Sequence, residues 1–259
     1  MNIDNWIIDI LSSDDPVGGI VGCADIFRFV GYKMVGVQHT RFHAEGDVWD
    51  HTKLCIKSLP KDHDWVDVLI ALFHDAGKKD ALDANGGKNM AGHEIYSLDI
   101  FENWLEETHF MRDELLENTV RWTIGNHMKV LNLDEMRSAY DVMDIVTDPW
   151  FPRLRTLATA DCEATLGTDG KPTHPFSEIL AHTRVQRWLG KPRVEPIVNA
   201  ADFLRAGVPT IGLAHQAVEA GLKIQINGNL KVRDHIINSV LHDRAFKQKI
   251  HSAQEYISN

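Results

Sequence analysis

An all-α fold is predicted for this 259-residue chain by three features of its sequence. Apolar residues recur at three- and four-residue spacing, strict apolar–polar alternation is scarce, and glycine or proline falls between the periodic stretches. The stretch 47–59 reads as a helix that puts His51 on the face of Val48, Cys55 and Leu59. Residues 65–74 follow, apolar nearly all round from Val66 to Phe73, and so deliver His74 and Asp75 to the interior. Helix 92–107 aligns His93 with Ile100 and Trp104, and helix 113–127 aligns His127 with Leu116, Val120 and Ile124. Helices at 134–146 and 152–166 come next, the second placing Asp161 beside Leu154, Leu157 and Ala158. Gly77, Gly86, Gly87, Gly125 and Pro149 punctuate the series. The Gly-, Thr-, Asp- and Pro-rich stretch 167–175 reads as a loop, and a helix over 176–189 stops at Gly190-Lys191-Pro192. Helices at 200–206, 212–220 and 231–247 complete a small tail, so a main domain over 1–190 and an extension over 191–259 are expected.

Composition narrows the function classes. Hydrophobic residues make up 44% of the chain, enough for a sizeable core, and the net charge of −10 argues against a broad basic face for nucleic acid. A local basic channel stays open. Cys23, Cys55 and Cys162 are odd in number, widely separated and without a C-x-x-C pair, which suits free thiols and excludes an all-cysteine zinc site. The first fifteen residues carry acids where a signal peptide has a basic region, and no apolar run approaches the roughly 20 residues of a membrane helix. No membrane partner and a cytoplasmic location are expected.

The inward polar positions carry the chemistry. His51, His74, Asp75, His93, His127 and Asp161 come from five predicted helices, and all are histidine or aspartate. Taken singly, each has an ordinary reading: a hydrogen-bonded core histidine, an Asp161 paired with Arg155, a solvated Lys78. Taken together they demand a charge argument. A buried carboxylate without a partner costs several kcal/mol. A divalent metal supplies positive charge for two of them, and neutral imidazoles complete the shell. Mixed His/Asp ligation suits Mn, Fe, Co, Ni or Zn, and Mg less well. His39, His63, His109, His174, His182, His215, His235, His242 and His251 show no comparable pattern.

These residues bring a family into view. The run Phe42-His43-Ala44-Glu45-Gly46-Asp47-Val48-Trp49-Asp50-His51-Thr52 resembles the H-P-E-G-D-V-W-x-H-T segment of HD-domain metal-dependent phosphohydrolases, with Ala44 in place of proline. Leu72-Phe73-His74-Asp75-Ala76-Gly77-Lys78 is similar to their L-x-H-D-x-G-K, and Gly92-His93-Glu94 and Ala160-Asp161 also match. The resemblance is closest to the HD module of bacterial CCA-adding tRNA nucleotidyltransferases. It extends more weakly to Asp202-Phe203-Leu204, Gly207-Val208-Pro209 and Gly212, covering 38–228. Some forty residues precede it, too few for a nucleotidyltransferase head, and no D-x-D follows Val17-Gly18-Gly19. The expectation is an HD-domain helical bundle that does not add nucleotides.

The resemblance implies phosphoester hydrolysis on nucleotides or RNA-end phosphates, including 2′,3′-cyclic phosphates and 2′-phosphates. His51, His74, Asp75 and Asp161 would hold a first metal, which acidifies water and polarises a phosphoryl oxygen. His93 and His127 would bind a second metal or the substrate phosphate. Asn126 stands where two-metal HD sites often carry another histidine, so one ion or two remains open. Asp75 would orient the attacking water, and Lys78 would neutralise phosphate charge. Trp49, Trp122 and Arg121 are candidates for contacting a nucleotide, though none needs that role. Two other readings stand: a mixed-valent diiron oxygenase, which uses the same six ligands in some HD folds, and a non-catalytic RNA-binding module.

Overall fold

The computed structural model describes residues 3–38, 44–110 and 113–258. Phe42 and His43 of the first motif, and His39, lie outside them. The fold is all-α. Among the described residues there are no strands, only two isolated bridges, Gln38 to Asp47 and Leu166 to Pro172.

The chain divides into two compact units, Met1–Asp134 with Pro149–Gln186, and Glu135–Asp148 with Arg187–Asn259. The expected split at residue 190 had kept the segment 135–148 in the first domain.

The first unit opens with α1 (Ile3–Leu11), α2 (Pro16–Gly22) and α3 (Ala24–Met34), none of them anticipated from the sequence. Then come α4 (Val48–Lys57) and α5 (Trp65–Phe73), both started by capping boxes, Asp47 with Asp50 and Asp64 with Asp67. Every residue of α5 after Trp65 is buried, as a helix at the centre of a bundle requires. A short α6 (Lys78–Ala84) precedes α7 (His93–Thr108) and α8 (Glu114–Val130). In the core, Phe73 packs against Phe101 and Trp104, and Trp104 against Phe110, with ring centroids 5.1 to 5.3 Å apart. Such contacts add to the large apolar area these rings bury.

The second unit contains α9 (Ala139–Val146), capped by Ser138, whose hydroxyl accepts from the Asp141 N–H. Helix α10 (Phe151–Ala164) belongs to the first unit and begins with Pro152 in its first turn. Arg153 ties that turn to the start of α5, reaching Asp64 at 2.6 Å and Asp67 at 2.8 Å. The expected helix over 176–189 is two pieces, α11 (Phe176–Ala181) and α12 (Thr183–Gln186), because His182 between them is extended.

The remaining helices build the second unit around Val198, Phe203, Ala217, Ile236 and Val240. Helix α13 (Ala200–Arg205) is followed by α14 (Ile211–Asn227), which runs seven residues past the expected stop at Ala220. Gly221 ends nothing. A Cβ there would sit about 3 Å from Val198 and Ile236, so the glycine allows close packing inside a continuous helix. The expected helix 231–247 breaks into α15 (Arg233–His242) and α16 (Arg244–Ser258) at Asp243, whose carboxylate accepts from the Phe246 N–H. Asp202, part of the tail resemblance, is buried and structural. It completes a capping box with Asn199 and pairs with Arg205 and Arg233.

Candidate metal centre

Five helices of the first unit bring all six predicted ligands to one place. Helix α4 contributes His51, the residue capping α5 is His74, and Asp75 follows it. His93 is the first residue of α7, set by Gly92 with a φ of +81°. His127 lies in the last turn of α8, and Asp161 in the last turn of α10. All six are at most 9% exposed.

Helix α7 reaches the doublet because residue 77 is glycine. A Cβ at Gly77 would lie 2.3 Å from the Ser97 nitrogen and 2.4 Å from the His93 carbonyl oxygen, both backbone atoms. Ser97 closes the joint: its hydroxyl donates to the His74 carbonyl at 2.8 Å and accepts from the Gly77 N–H at 2.9 Å. Thus the glycine of H-D-x-G-K is a packing requirement of the helix that carries His93.

Three imidazoles share one local device. The Nδ1 atoms of His74, His93 and His127 meet the carbonyls of Ala71, Met90 and Ile124, each three residues upstream, at 2.7, 3.0 and 2.6 Å. A carbonyl only accepts, so each Nδ1 carries a proton and each Nε2 is left to face the cluster. His51 differs: its Nδ1 lies 2.9 Å from Glu45 Oε1.

The Nε2 atoms converge. Two groups, His51–His74–Asp161 and Asp75–His93–His127, each have ligand atoms within 4.8 Å of one another and could hold a metal ion. Asp75 joins them. Its Oδ2 lies 3.3 Å from His74 Nε2 and 3.6 Å from His51 Nε2, while its Oδ1 lies 3.0 Å from His93 Nε2 and 3.8 Å from His127 Nε2. Asp161 Oδ1 is 2.8 Å from His51 Nε2 and 3.8 Å from His74 Nε2.

The donor set fits a divalent cation. His93 and His127 oppose their Nε2 atoms at 3.0 Å, and two lone pairs at that distance need positive charge between them, a proton or a metal ion. His74 Nε2 is buried without a hydrogen-bond partner, the state expected of a ligand atom. Asp75, Asp161 and Glu45 face one ammonium, that of Lys78, so the carboxylates outnumber it by two.

Titration follows the same geometry. Burial opposes a charge on His74, but Asp75 and Asp161 outweigh it and lift its pKa to about 10. His51 is likewise raised against burial, by Asp161 and Glu45. Burial, reinforced by His74 and His93, drives His127 down to about 3. Burial would also raise Asp75 and Asp161, yet their histidine neighbours, with Lys78 beside Asp75, hold both well below the usual carboxylate range.

Lys78 touches the cluster directly, donating from Nζ to Asp75 Oδ2 at 2.5 Å. The nucleotide-contact candidates lie elsewhere. Trp49 is buried against Phe27, Trp122 lies edge-on to Trp150, and Arg121 is committed to Glu102 and Glu117. Arg155, weighed as a partner for Asp161, is exposed and lines a separate open groove of about 310 Å³ with Ser58, Pro60 and Glu163. Asn126 turns back along α8 to the Trp122 carbonyl. The cysteines are buried and free, Cys162 pushed up to about 12 by burial and Asp161. One residue in contact with the cluster escaped sequence reasoning as a participant: Glu45. Its signal was its place six residues ahead of His51 in the first motif.

No helix among the described residues is long and apolar enough to cross a membrane. No protein-family model matches the chain, and searches of curated proteins and of solved structures returned no match.

Proposed function

We propose that this chain is a metal-dependent phosphohydrolase of the HD-domain type, hydrolysing phosphomonoesters or phosphodiesters of nucleotides or RNA ends, 2′,3′-cyclic phosphates among them. One observation carries the reading: Asp75 turns one oxygen to each of two histidine pairs, drawing four imidazoles and two aspartates into a single buried centre. His51, His74, Asp75 and Asp161 would hold a divalent ion (Mn, Ni, Co, Fe or Zn, with Mg possible), whose Lewis acidity would acidify water and polarise a phosphoryl oxygen.

The chain's own residues do the rest. The carbonyls behind His74, His93 and His127 fix each ring so that Nε2 needs no reorganisation. Asp75, ionised at neutral pH, orients the attacking water. His93 and His127 hold a second ion or contact the phosphate. The Lys78 ammonium, beside Asp75, offsets charge on a bound phosphoryl group.

The test is elemental analysis of the purified protein, then assay of bis-p-nitrophenyl phosphate and 2′,3′-cyclic AMP with Mn, Co, Ni and Mg. Hydrolysis and metal content should both vanish in His74→Ala and Asp75→Ala. Wild-type turnover in both variants would end the proposal. The matched pair of groups, each with two imidazoles and one carboxylate, also suits a diiron oxygenase. The Lys78 cation favours an anionic substrate over that reading. A stoichiometric iron pair consuming oxygen with an organophosphonate or polyol would reverse the preference.

A further inference from the structure

Glu45 approaches the centre from behind His51, and its side chain is fully buried. One carboxylate oxygen lies 2.9 Å from His51 Nδ1, and the other accepts the Leu166 N–H at 3.0 Å. Next to it, the Ala44 N–H donates to the Leu166 carbonyl at 2.9 Å. Leu166 follows the residue that caps α10, and that cap, Thr165, bonds back to the Asp161 carbonyl through both its N–H and its hydroxyl. Glu45 therefore spans the two chain segments that supply His51 and Asp161.

His51 is supported differently from its fellows. The carbonyl three residues before it, that of Val48, accepts the Thr52 hydroxyl at 2.9 Å. Its Nδ1 leans on an ionisable partner, whereas His74, His93 and His127 lean on neutral carbonyls. A carboxylate behind a ligating imidazole fixes the ring and makes it a stronger donor.

We propose that Glu45 is a positioning residue that makes His51–His74–Asp161 the tighter of the two ion-binding groups, by orienting His51 and by pinning the exit of α10. This rests on the reading that the cluster binds divalent ions, and not on which reaction follows.

The experiment is calorimetric titration of the full-length protein with Co²⁺, free of substrate, for wild type and Glu45→Gln. Glutamine keeps the shape, but its one amide oxygen cannot serve both donors, and its charge is gone. The first binding event should weaken about 10- to 100-fold. The visible bands of the first bound Co²⁺ should shift, the second event should change far less, and the metal-free protein should keep its helical circular dichroism. Should the glutamine variant fail to fold, Glu45→Asp, with its charge kept and its reach shortened, must weaken the same event. A wild-type dissociation constant in the folded variant overturns the proposal, as does an equal loss in both events. Absence of Co²⁺ binding to the wild type would overturn the metal reading along with it.

Discussion

Ser97→Ala probes the joint on which the centre depends. The Ser97 hydroxyl, fully buried on α7, serves two backbone groups of the turn holding Asp75: it donates to the His74 carbonyl at 2.8 Å and accepts the Gly77 N–H at 2.9 Å. Alanine leaves both without that partner, in a place too tightly packed for a new side chain, as the contacts around Gly77 show. An unsatisfied buried backbone group costs about 1–3 kcal/mol, so the pair should cost about 2–6 kcal/mol. At about 2–4 °C per kcal/mol for a unit of this size, the metal-free melting temperature should drop by roughly 4–24 °C. Relaxation of the turn should also move Asp75 off His93 and weaken metal binding. The contrast is Thr123→Val, whose hydroxyl bonds to the Thr119 carbonyl within its own helix, and whose loss should cost under about 1 kcal/mol. The assay is calorimetric melting in chelator, paired with Co²⁺ titration. If Ser97→Ala melts within about 2 °C of wild type, or no lower than Thr123→Val, the joint does not hold the turn and the reasoning fails.

Other expectations follow from the same geometry. Gly77→Ala must push its Cβ against two backbone atoms of α7, so we expect a loss above about 3 kcal/mol and failure to retain metal; circular-dichroism melting and elemental analysis decide, and a wild-type melt with full metal content would refute the close-approach argument. Lys78→Ala should keep its metal while KM for a phosphodiester rises several-fold; loss of metal would instead assign Lys78 to holding Asp75 in place. Stability of the metal-free protein should peak near pH 6–7. His74, raised to about 10 when folded, contributes stability that is complete below its unfolded value near 6.5 and is lost as pH climbs toward 10. His127, depressed to about 3, costs stability as pH falls from 6.5 toward 3, and the depressed Asp75 and Asp161 add their losses as pH drops below their unfolded value near 3.9. Urea midpoints at about pH 5, 7 and 9, with chelator, check this, and a flat profile rejects the assigned directions.

Burial of two aspartates is tolerable here because each is shared. Asp75 meets four imidazoles and an ammonium, and Asp161 meets two imidazoles, so neither depends on a single partner. Sharing also limits what a metal must supply. The four imidazoles are held at Nδ1 by backbone carbonyls or Glu45, on the far side of each ring from its Nε2 atom.

What could be read from the sequence follows from period. A polar residue on a helix's apolar stripe must be buried, which is why His51, His93, His127 and Asp161 were assignable one helix at a time, and all four are at most 9% exposed. The doublet was legible for a different reason: past Asp67, α5 is apolar all round, so its end lies in the core whichever way it turns. Contacts between helices are not periodic, and there the sequence is mute. That Asp75 would divide its oxygens, that Gly77 would admit α7, and that Ser97 would bridge two backbone groups depend on the register of one helix against another. Glu45 was hidden because it precedes its helix and belongs to no stripe. The same cause explains the misread boundaries. The helix expected to end at Ala220 runs on through Gly221, whose packing neighbours Val198 and Ile236 are remote in sequence, and Asp243 looked helical because its cap bond forms only once the chain has turned. Helices α1 to α3 went unread, although α1 and α3 now bury Ile7, Leu11, Ile26 and Val30 in the core around α5.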